Sequence, residues 1–226
     1  MKRLSKRTKK FVEIVGAKKS YSLEEAVEQI TKAPAVKFNE TVELHFHLGI
    51  DTEASDQGVR GTVVLPHGTG RKVRIAVFCK GELVAKAETL GADFVGSDKL
   101  IEKVSGGFMD FDCVIATPDM MRELSKLGKI LGPRGLMPSP KAGTVTMDIE
   151  RAITEVRAGR IEFKTDKQAG IHVGIGKRSF SKQQLVENAR QLIQAINTGK
   201  PAAVKGAFFK SVYLSTTMGP GLPVNV

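Results

Sequence analysis

Residues 40–50 read ETVELHFHLGI, in which apolar and polar side chains alternate along the chain. The apolar positions are Val42, Leu44, Phe46, Leu48 and Ile50, and the polar positions between them include Glu43, His45 and His47. Successive side chains of a β-strand point to opposite faces of its sheet, so this period of two is typical of a strand with one buried face. We therefore predict a strand here whose apolar side covers a hydrophobic core.

Strand patterns of the same style return near the C-terminal end of the chain. The predicted strands are VRGTVVLP (59–66), RIEFKTD (160–166), GIHVGIG (170–176) and FFKSVYLSTTM (208–218). Helices are predicted in the basic first nineteen residues, in SYSLEEAVEQITKAP (20–34) and in SKQQLVENARQLIQAINTG (181–199). In the second of these helices, Ser22 and Glu25 have the spacing of a capping box, and Pro34 ends the helix.

A different pattern fills the region between these two sets of strands. From about residue 68 to residue 159, short β-rich runs alternate with helical runs, which is typical of βαβ units around a mainly parallel sheet. The sequence therefore predicts an α+β outer domain with an antiparallel sheet and packed helices, interrupted by an α/β, Rossmann-like three-layer domain. Residues 1–67 plus 160–226 belong to the discontinuous outer domain, and residues 68–159 to the inserted one.

The charge balance of the chain favours a polyanionic partner. Its 226 residues include 35 Lys or Arg and 24 Asp or Glu, which gives a net charge of +11 and a pI near 9.7. Residues 68–160 hold 15 basic and 12 acidic side chains, whereas the flanking segments hold 20 and 12. We therefore predict that the outer domain binds nucleic acid. On charge alone, a basic protein without such a partner stays open.

The sequence shows no sign of a membrane-bound or exported protein. It has no run of about 18 apolar residues, and its basic N-terminal stretch lacks the apolar core of a signal peptide. Cys79 and Cys113 stand alone without a CxxC motif, so neither a disulfide framework nor a cysteine-rich zinc site is predicted. We expect a soluble protein of the reducing cytoplasm.

Candidate motifs for nucleotide binding fail in spacing or in context. In GIHVGIGKRS (170–179), five residues separate Gly170 from Gly176 where a phosphate loop has four, and Arg178 replaces the hydroxyl side chain that binds Mg²⁺. HGTGRKVRI (67–75) leads into a strand and not into a helix N-terminus. We therefore expect no enzyme activity, no catalytic residue and no cofactor.

Two pairs of polar residues have both a chemical and a structural interpretation. His45 and His47 share one strand face, where a solvated or RNA-facing pair is favoured over a metal site because the sequence identifies no third ligand. Asp110 and Asp112 lie at the start of a predicted strand, where a polar strand entry is favoured over acid–base chemistry. No metal site is therefore predicted.

Several strand ends carry groups that suit RNA. Lys37 and Phe38 precede the first strand, where a cation can meet a phosphate and a ring can meet a ribose or base, although Phe38 could equally belong to the core. FKTDKQAG (163–170) brings charged groups to a strand end, and SVYLSTTMGPG (211–221) ends the last strand with hydroxyls, a methionine and glycines. Small polar groups and glycine let the backbone approach 2′-hydroxyls, which distinguish RNA from DNA.

LGKILGPRGLMPSPKAGTV, residues 127–145, is rich in glycine and proline. Its charged side chains are all basic: Lys129, Arg134 and Lys141. Prolines at 133, 138 and 140 fix the backbone angle φ and the glycines permit turns, so this loop has little conformational entropy left to lose. It is interpreted either as a stiff basic contact to RNA or as a structural crossover whose charges are solvated.

Four stretches together resemble a known family. KFNETVEL (37–44), LGKILGPRGLMPSPKAGTV (127–145), FKTDKQAGIHVGIGK (163–177) and SVYLSTTMGPG (211–221) are similar, in order and separation, to the bacterial large-subunit ribosomal protein family called L-one. The resemblance covers essentially the whole chain. Proteins of this family lie in the mobile stalk beside the tRNA exit site, and the resemblance implies a first domain built from both chain ends and interrupted by a Rossmann-like second domain.

The resemblance also implies a function. It implies a structural component of the large ribosomal subunit that binds stalk ribosomal RNA, assists release of deacylated tRNA from the exit site and represses translation of its own messenger RNA. The implied protein is cytoplasmic and ribosome-bound, has no membrane partner and is a monomer off the ribosome. Two alternatives stay open: a nucleotide-dependent enzyme that uses the inserted domain, and a free-standing translational repressor.

Site residues follow from the same resemblance. The implied RNA contacts are Lys37, Phe38, Thr41, Glu43, Lys164, Asp166, Lys167, Ser211, Thr217, Met218 and Gly219, and the secondary contacts on the inserted domain are Lys129, Arg134 and Lys141. The lysines suit phosphates, and Glu43 and Asp166 suit base amino groups or 2′-hydroxyls. Phe38 and Met218 suit apolar contact, and Gly219 suits close approach of the backbone.

Overall fold

The computed structural model describes residues 6–15, 20–34, 36–52 and 57–226. The helices are α1 (Lys6–Val15), α2 (Leu23–Lys32), α3 (Leu83–Thr89), α4 (Asp98–Ser105), α5 (Met121–Leu124), α6 (Gly128–Leu131), α7 (Ile149–Arg157) and α8 (Lys182–Thr198). The strands are β1 (Thr41–Leu48), β2 (Arg60–Val64), β3 (Ile75–Phe78), β4 (Phe94–Gly96), β5 (Cys113–Ala116), β6 (Arg160–Lys164), β7 (Gly170–Lys177), β8 (Phe209–Thr216) and β9 (Leu222–Pro223). The architecture is mixed α/β, with an antiparallel sheet, a parallel sheet and packed helices. The sequence predicts each of these three features.

The chain divides into two compact units, and the first contains Met1–Gly70 with Ile161–Val226. Its main sheet has the order β7-β1-β8-β9, and β1 pairs antiparallel with both of its neighbours. The apolar residues of β1 are all buried: Val42, Leu44, Phe46 and Leu48. The strand predicted from the alternating pattern is thus central in the sheet, and its apolar side faces the core of this unit.

Two helices cover the buried side of this sheet and begin where the sequence predicts. Ser22 and Glu25 form a capping box at the start of α2, and Ser181 and Gln184 form another at the start of α8. The apolar stripe of α8 is buried: Leu185, Ala189, Leu192 and Ile196. The two helices pack against each other and against β7 and β8, so the opposite face of the sheet carries its polar side chains.

The second unit, Arg71–Arg160, contains a parallel sheet of order β4-β3-β5. Ile75 and Val77 of β3 pack with α3 and α7 on one side of this sheet. Ala76 and Phe78 pack with α4 and the residues around α5 and α6 on the other. Burial on both sides explains why β3 is continuously apolar. The Rossmann-like assignment of this unit stays a prediction.

The strands of the outer segments do not all join one sheet. β2 and β6 form a separate two-stranded sheet, in which Arg60 Nε contacts Glu162 Oε1 at 2.5 Å. Gly61 lies against the ring of Phe163, where a Cβ atom would be only 2.7 Å from the nearest ring carbon. This close approach requires glycine in β2. Strand β9 was not predicted, because two residues are too few to show a period.

Two helix predictions also change in detail. Among the helical runs predicted between residues 68 and 159, the run DMMRELSKLG (119–128) is broken, because a 3₁₀ turn at Ser125–Leu127 separates α5 from α6. Gly128, which is a poor helix former, stands at the second break, where α6 begins. The basic helix predicted in the first nineteen residues is present as α1, and the rest of that stretch lies outside the described residues. None of the described helices is both long and apolar enough to cross a membrane.

A buried amide joins α8 to the chain segment that follows β2. The side chain of Asn188 is fully buried and makes three hydrogen bonds to backbone groups. Its Oδ1 accepts from His67 N at 3.1 Å, and its Nδ2 donates to Gly68 O at 3.0 Å and to Ile175 O at 2.8 Å. Asn188 therefore satisfies backbone groups that would otherwise be buried without partners.

We predict that Asn188→Ala lowers the free energy of unfolding by about 3 kcal/mol, because each buried group left unsatisfied costs about 1–3 kcal/mol. Urea unfolding at pH 7 measures this change. The matched control is Asn197→Ala on the exposed side of the same helix, for which we expect a change within about 0.5 kcal/mol. Equal losses in the two variants would contradict a special role for the Asn188 amide.

Candidate nucleic-acid interface

A buried carboxylate organises the N-terminal end of β1. Glu40 is completely buried, and its two oxygens contact Arg7 Nη2 at 3.0 Å and Arg178 Nη1 at 2.8 Å. Glu40 Oε1 also accepts hydrogen bonds from Thr216 Oγ1 and from Met218 N, each at 3.2 Å. Four groups from three parts of the chain therefore meet at one side chain.

Burial alone would raise the pKa of Glu40, because it disfavours the charged form. The hydrogen bonds from Arg7 and Arg178, and that from Met218 N, act in the opposite direction and together prevail, so the pKa of Glu40 is held below its usual value. The group is therefore ionised in the folded protein at neutral pH, which keeps both arginines paired.

Several residues predicted to contact RNA meet next to Glu40. Thr41 N donates to Thr217 Oγ1 at 3.0 Å, and Thr217 N donates to Thr41 O at 3.1 Å, so these two residues are fixed together. Lys177 Nζ donates to Thr41 Oγ1 at 2.8 Å. A Cβ atom at Gly219 would lie 2.4 Å from Thr216 Oγ1, so the chain can turn here only with glycine.

Two large apolar side chains are exposed at this end of the sheet. Phe38 is 53% exposed and Met218 is 60% exposed, and each lies in a bend or turn next to a strand end. The open question about Phe38 is thereby settled, since it does not belong to the hydrophobic core. Exposed apolar groups beside Lys37, which is also exposed, suit a ligand with both apolar surface and negative charge.

Other predicted residues lie at the opposite end of the same strands. Gly170, the first residue of β7, pairs with His47 near the end of β1, and Ser211 of β8 also pairs with His47. Asp166 lies just before β7 and accepts hydrogen bonds from Gln168 N at 2.8 Å and Gly170 N at 2.7 Å. These hydrogen bonds from backbone N–H groups, of which that from Gly170 has the larger effect, lower the pKa of Asp166.

The second cluster borders an open groove of about 460 Å³. Its lining residues are Ile50, Thr52, Gly58, Lys164, Thr165, Asp166 and Lys167. Since β1 has eight residues, the two ends of the sheet are separated by roughly 23 Å at about 3.3 Å per residue. The predicted contacts therefore form two clusters and not one continuous patch, with Glu43 beside the first.

The polar face of the sheet between these ends carries two further residues, which no motif in the sequence indicates as a site. His172 of β7 and Tyr213 of β8 both lie opposite His45 of β1. Tyr213 is 42% exposed, and His45 Nδ1 lies 2.9 Å from His172 Nδ1. The alternation in GIHVGIGK predicts that His172 is on a polar face. Its position opposite His45 depends on the strand register, which the sequence does not reveal.

His45 and His47 lie on the same polar face of β1, as the sequence predicts, and His45 is in addition in contact with His172. Among the described residues, no group of three or more His, Cys, Asp or Glu side chains is arranged to hold a metal ion. Gly170 to Gly176 lies within strand β7 and not in a loop, so it is not a phosphate loop. Asp112 is paired with Arg71 at 2.6 Å and Arg74 at 3.2 Å.

The three secondary contacts lie in the second unit and are all exposed. Lys129 is in α6, Lys141 is in a 3₁₀ turn at Pro140–Ala142, and Arg134 lies between them. The turn is closed by bonds from Ser139 N to Thr144 Oγ1 at 2.9 Å and from Gly143 N to Pro140 O. The segment predicted as a stiff loop therefore has short helical turns that present its basic groups to solvent.

We predict that Glu40→Gln lowers the free energy of unfolding at pH 7 by about 3 kcal/mol, because it leaves two arginines without their counter-charge. Because the pKa of Glu40 is lowered in the folded protein, its contribution to the free energy of unfolding is complete above the usual carboxyl pKa. This contribution is lost as the pH falls through the folded-state pKa. Urea unfolding between pH 7 and pH 3 should show a smaller loss on acidification for the variant.

The matched control for this experiment is Glu28→Gln. The carboxylate of Glu28 also contacts two cations, Lys32 at 2.7 Å and Lys182 at 3.0 Å, but its side chain is 42% exposed. Solvent screens such surface pairs, so we expect Glu28→Gln to change stability much less. If the two glutamine variants are equally stable, the organising role of Glu40 is wrong.

Comparison with known proteins identifies relatives of the whole chain. The family model described as the Ribosomal protein L1p/L10e family matches residues 26–220. A protein of Protochlamydia amoebophila is 53% identical over 226 residues, which is 100% of this chain and 96% of the relative. A protein of Kosmotoga olearia is 50% identical over 225 residues, covering 98% and 97%, and one of Deinococcus radiodurans is 54% identical over 211 residues, covering 93% and 91%.

All three relatives are called large ribosomal subunit protein uL1. The match extends over most of the chain in the family model and over nearly its full length in each relative. The chain therefore belongs to the Ribosomal protein L1p/L10e family, which confirms the predicted resemblance and shows that it is a ribosomal protein and not an enzyme.

Proposed function

We propose that this chain is a structural component of the large ribosomal subunit and binds stalk ribosomal RNA with the polar face and both ends of the β7-β1-β8-β9 sheet. The observation that carries the proposal is the cluster around Glu40. There, exposed apolar side chains, a lysine, hydroxyls and a glycine lie together at one end of the sheet.

Each part of this cluster suits a different part of RNA. Lys37 supplies a positive charge for a phosphate, and Phe38 and Met218 supply apolar surface for a ribose or base. Gly219 lets the backbone turn tightly against Thr216, which positions this end of the chain. Because hydrogen bonds to Thr41 and Glu40 fix the backbone at Thr217 and Met218, little ordering entropy is lost there when RNA binds.

The cluster at the other end of the sheet extends the proposed surface. Lys164 and Lys167 border the groove that contains Asp166, and Ser211 lies on the strand that joins this end to Thr217. An RNA that contacts both ends must present phosphates or sugars over roughly 23 Å. We propose that one folded RNA element spans this distance, with Glu43 contacting it between the ends.

Further parts of the proposal rest on the resemblance to the family. We propose that residues 1–67 plus 160–226 and residues 68–159 are separate domains, and that Lys129, Arg134 and Lys141 of the second make a secondary RNA contact. We also propose that the protein assists release of deacylated tRNA from the exit site and represses its own messenger RNA. It would then be cytoplasmic and ribosome-bound, and a monomer off the ribosome.

A free-standing translational repressor is the competing function, and sedimentation separates the two. A structural component sediments with large subunits after washing at moderate salt, whereas a free-standing repressor stays in the supernatant.

We predict that Met218→Asp weakens binding of a large-subunit stalk RNA by at least about tenfold, because it places a negative charge against phosphates and removes an apolar contact. Filter binding at physiological salt measures the dissociation constant. The control is Met147→Asp in the second unit, since Met147 is also 60% exposed. We expect that control to change the affinity by less than about twofold.

Met218→Asp is a cleaner test than Thr217→Ala, because the hydroxyl of Thr217 also accepts the hydrogen bond from Thr41 N. Thermal unfolding of Met218→Asp should match the original protein. A variant that binds stalk RNA normally while remaining folded would remove Met218 from the interface. Equal affinity of the original protein for stalk RNA and for an unrelated folded RNA of the same length would overturn the proposed function.

We predict that Lys37→Gln and Lys164→Gln each reduce the slope of log affinity against log salt by about 0.8, because each removes one phosphate contact. If one RNA contacts both ends of the sheet, the double variant should reduce this slope by about twice as much as either single variant. Lys32→Gln is the control, since its ammonium is already paired with Glu28 at 2.7 Å. A slope that changes for only one of the two lysines would show that the ends do not share one RNA.

A further inference from the structure

The middle of the polar sheet face holds a pair of histidines in direct contact. His45 and His172 are opposite each other on β1 and β7, and their Nδ1 atoms are 2.9 Å apart. A hydrogen bond between two ring nitrogens needs a hydrogen on one of them and a lone pair on the other. The pair is therefore bonded when it carries no added proton or one added proton, but two added protons would place two N–H groups against each other.

The outer nitrogens of the two rings have different partners. His45 Nε2 lies 2.8 Å from Ser215 Oγ, whereas His172 Nε2 lies 3.5 Å from Asp166 Oδ2. The carboxylate of Asp166 offers an acceptor to an N–H group at His172 Nε2. His45 can then stay neutral, accept the bond from His172 and donate to Ser215. Burial, followed by the nearby His172, lowers the pKa of His45 and agrees with this order.

Charged groups around the pair determine what a proton does there. Glu43 Oε2 lies 4.0 Å from His45 Nε2, and Asp166 flanks the other ring. The remaining titratable or charged groups near this face are His47 on β1, Tyr213 on β8, Lys177 on β7 and Lys164 and Lys167 beside Asp166. Without an added proton, two carboxylates flank a neutral pair and oppose a phosphate. One proton offsets half of this negative charge.

We propose that the His45–His172 pair contacts a phosphate of the bound RNA in the middle of the sheet face and takes up one proton when RNA binds. This inference rests on the proposed function, because an RNA that reaches both ends of the sheet crosses this position. A phosphate beside the pair favours its protonated form, so by linkage lower pH favours the complex.

The test is the affinity of the full chain for a large-subunit stalk RNA between pH 6 and pH 8 at constant ionic strength. Uptake of one proton changes affinity by at most about tenfold per pH unit, and we expect binding about threefold to tenfold tighter at pH 6 than at pH 8. Calorimetry at pH 7 in two buffers with different ionisation enthalpies should report net proton uptake by the complex.

Two variants locate the proton. His172→Gln should abolish most of the pH dependence and bind at pH 6 about as weakly as the original protein at pH 8. His47→Gln, on the same face of β1, should keep the pH dependence. The RNA is the same in every measurement, so titration of its own bases is common to all proteins. The ring signals of His172 in nuclear magnetic resonance supply a readout without substitution, and its pKa should be higher in the complex than in the free protein.

The outcomes separate this inference from the proposed function. Specific binding of stalk RNA with no proton uptake, an unchanged His172 pKa, or a pH dependence that is lost in His47→Gln and kept in His172→Gln would overturn the proton-linked contact alone. Equal binding of stalk RNA and an unrelated folded RNA at every pH would overturn the proposed function as well.

Discussion

The burial of one ionised carboxylate constrains the whole first unit. Glu40 is in contact with Arg7 of α1, with Arg178, which directly follows β7, and with Thr216 at the end of β8. A buried charge is tolerated only when its partners are in place, so these distant segments must meet at one point. The two guanidinium groups also donate to Pro34 O, and Arg178 donates to the carbonyls of Thr31 and Ala33 at the end of α2. The same ion pairs therefore hold the sheet and a covering helix together.

This constraint links stability to the proposed interface. Glu40 holds the backbone of Met218 and leaves the side chain of Met218 outside, while the Cβ-free Gly219 lets the chain turn against Thr216. A change at Glu40 affects both the stability of the fold and the proposed RNA interface. Loss of RNA binding in such a variant therefore does not identify Glu40 as a residue that contacts RNA. A change at an exposed side chain such as Phe38 alters the surface alone, because Phe38 is not part of the core.

Local patterns in the sequence predict much of the fold. Alternation predicts the buried face of β1, and the capping spacing of Ser22 and Glu25 predicts the start of α2. The pairing of His45 with His172 could not be predicted, because strand register depends on contacts between residues 127 positions apart. Glu40 also gives no local signal, since a glutamate before a strand is ordinarily solvated. The site residues implied by the family resemblance lie at both ends of the sheet. That they form two clusters is visible only from the register of the strands.

Charge and specificity have different sources in this protein. The net charge of +11 attracts any polyanion, and salt weakens that attraction for every RNA alike. Several of the cations are already paired within the fold, as Arg7 and Arg178 are with Glu40, so their charge is offset inside the protein. In the proposed function, discrimination between RNAs comes from groups whose positions are fixed and whose chemistry is not simply positive, such as Thr41, Thr217 and Met218. Because Glu40 holds the ends of β1 and β8 together, the arrangement of these neutral groups is a property of the folded chain before RNA arrives.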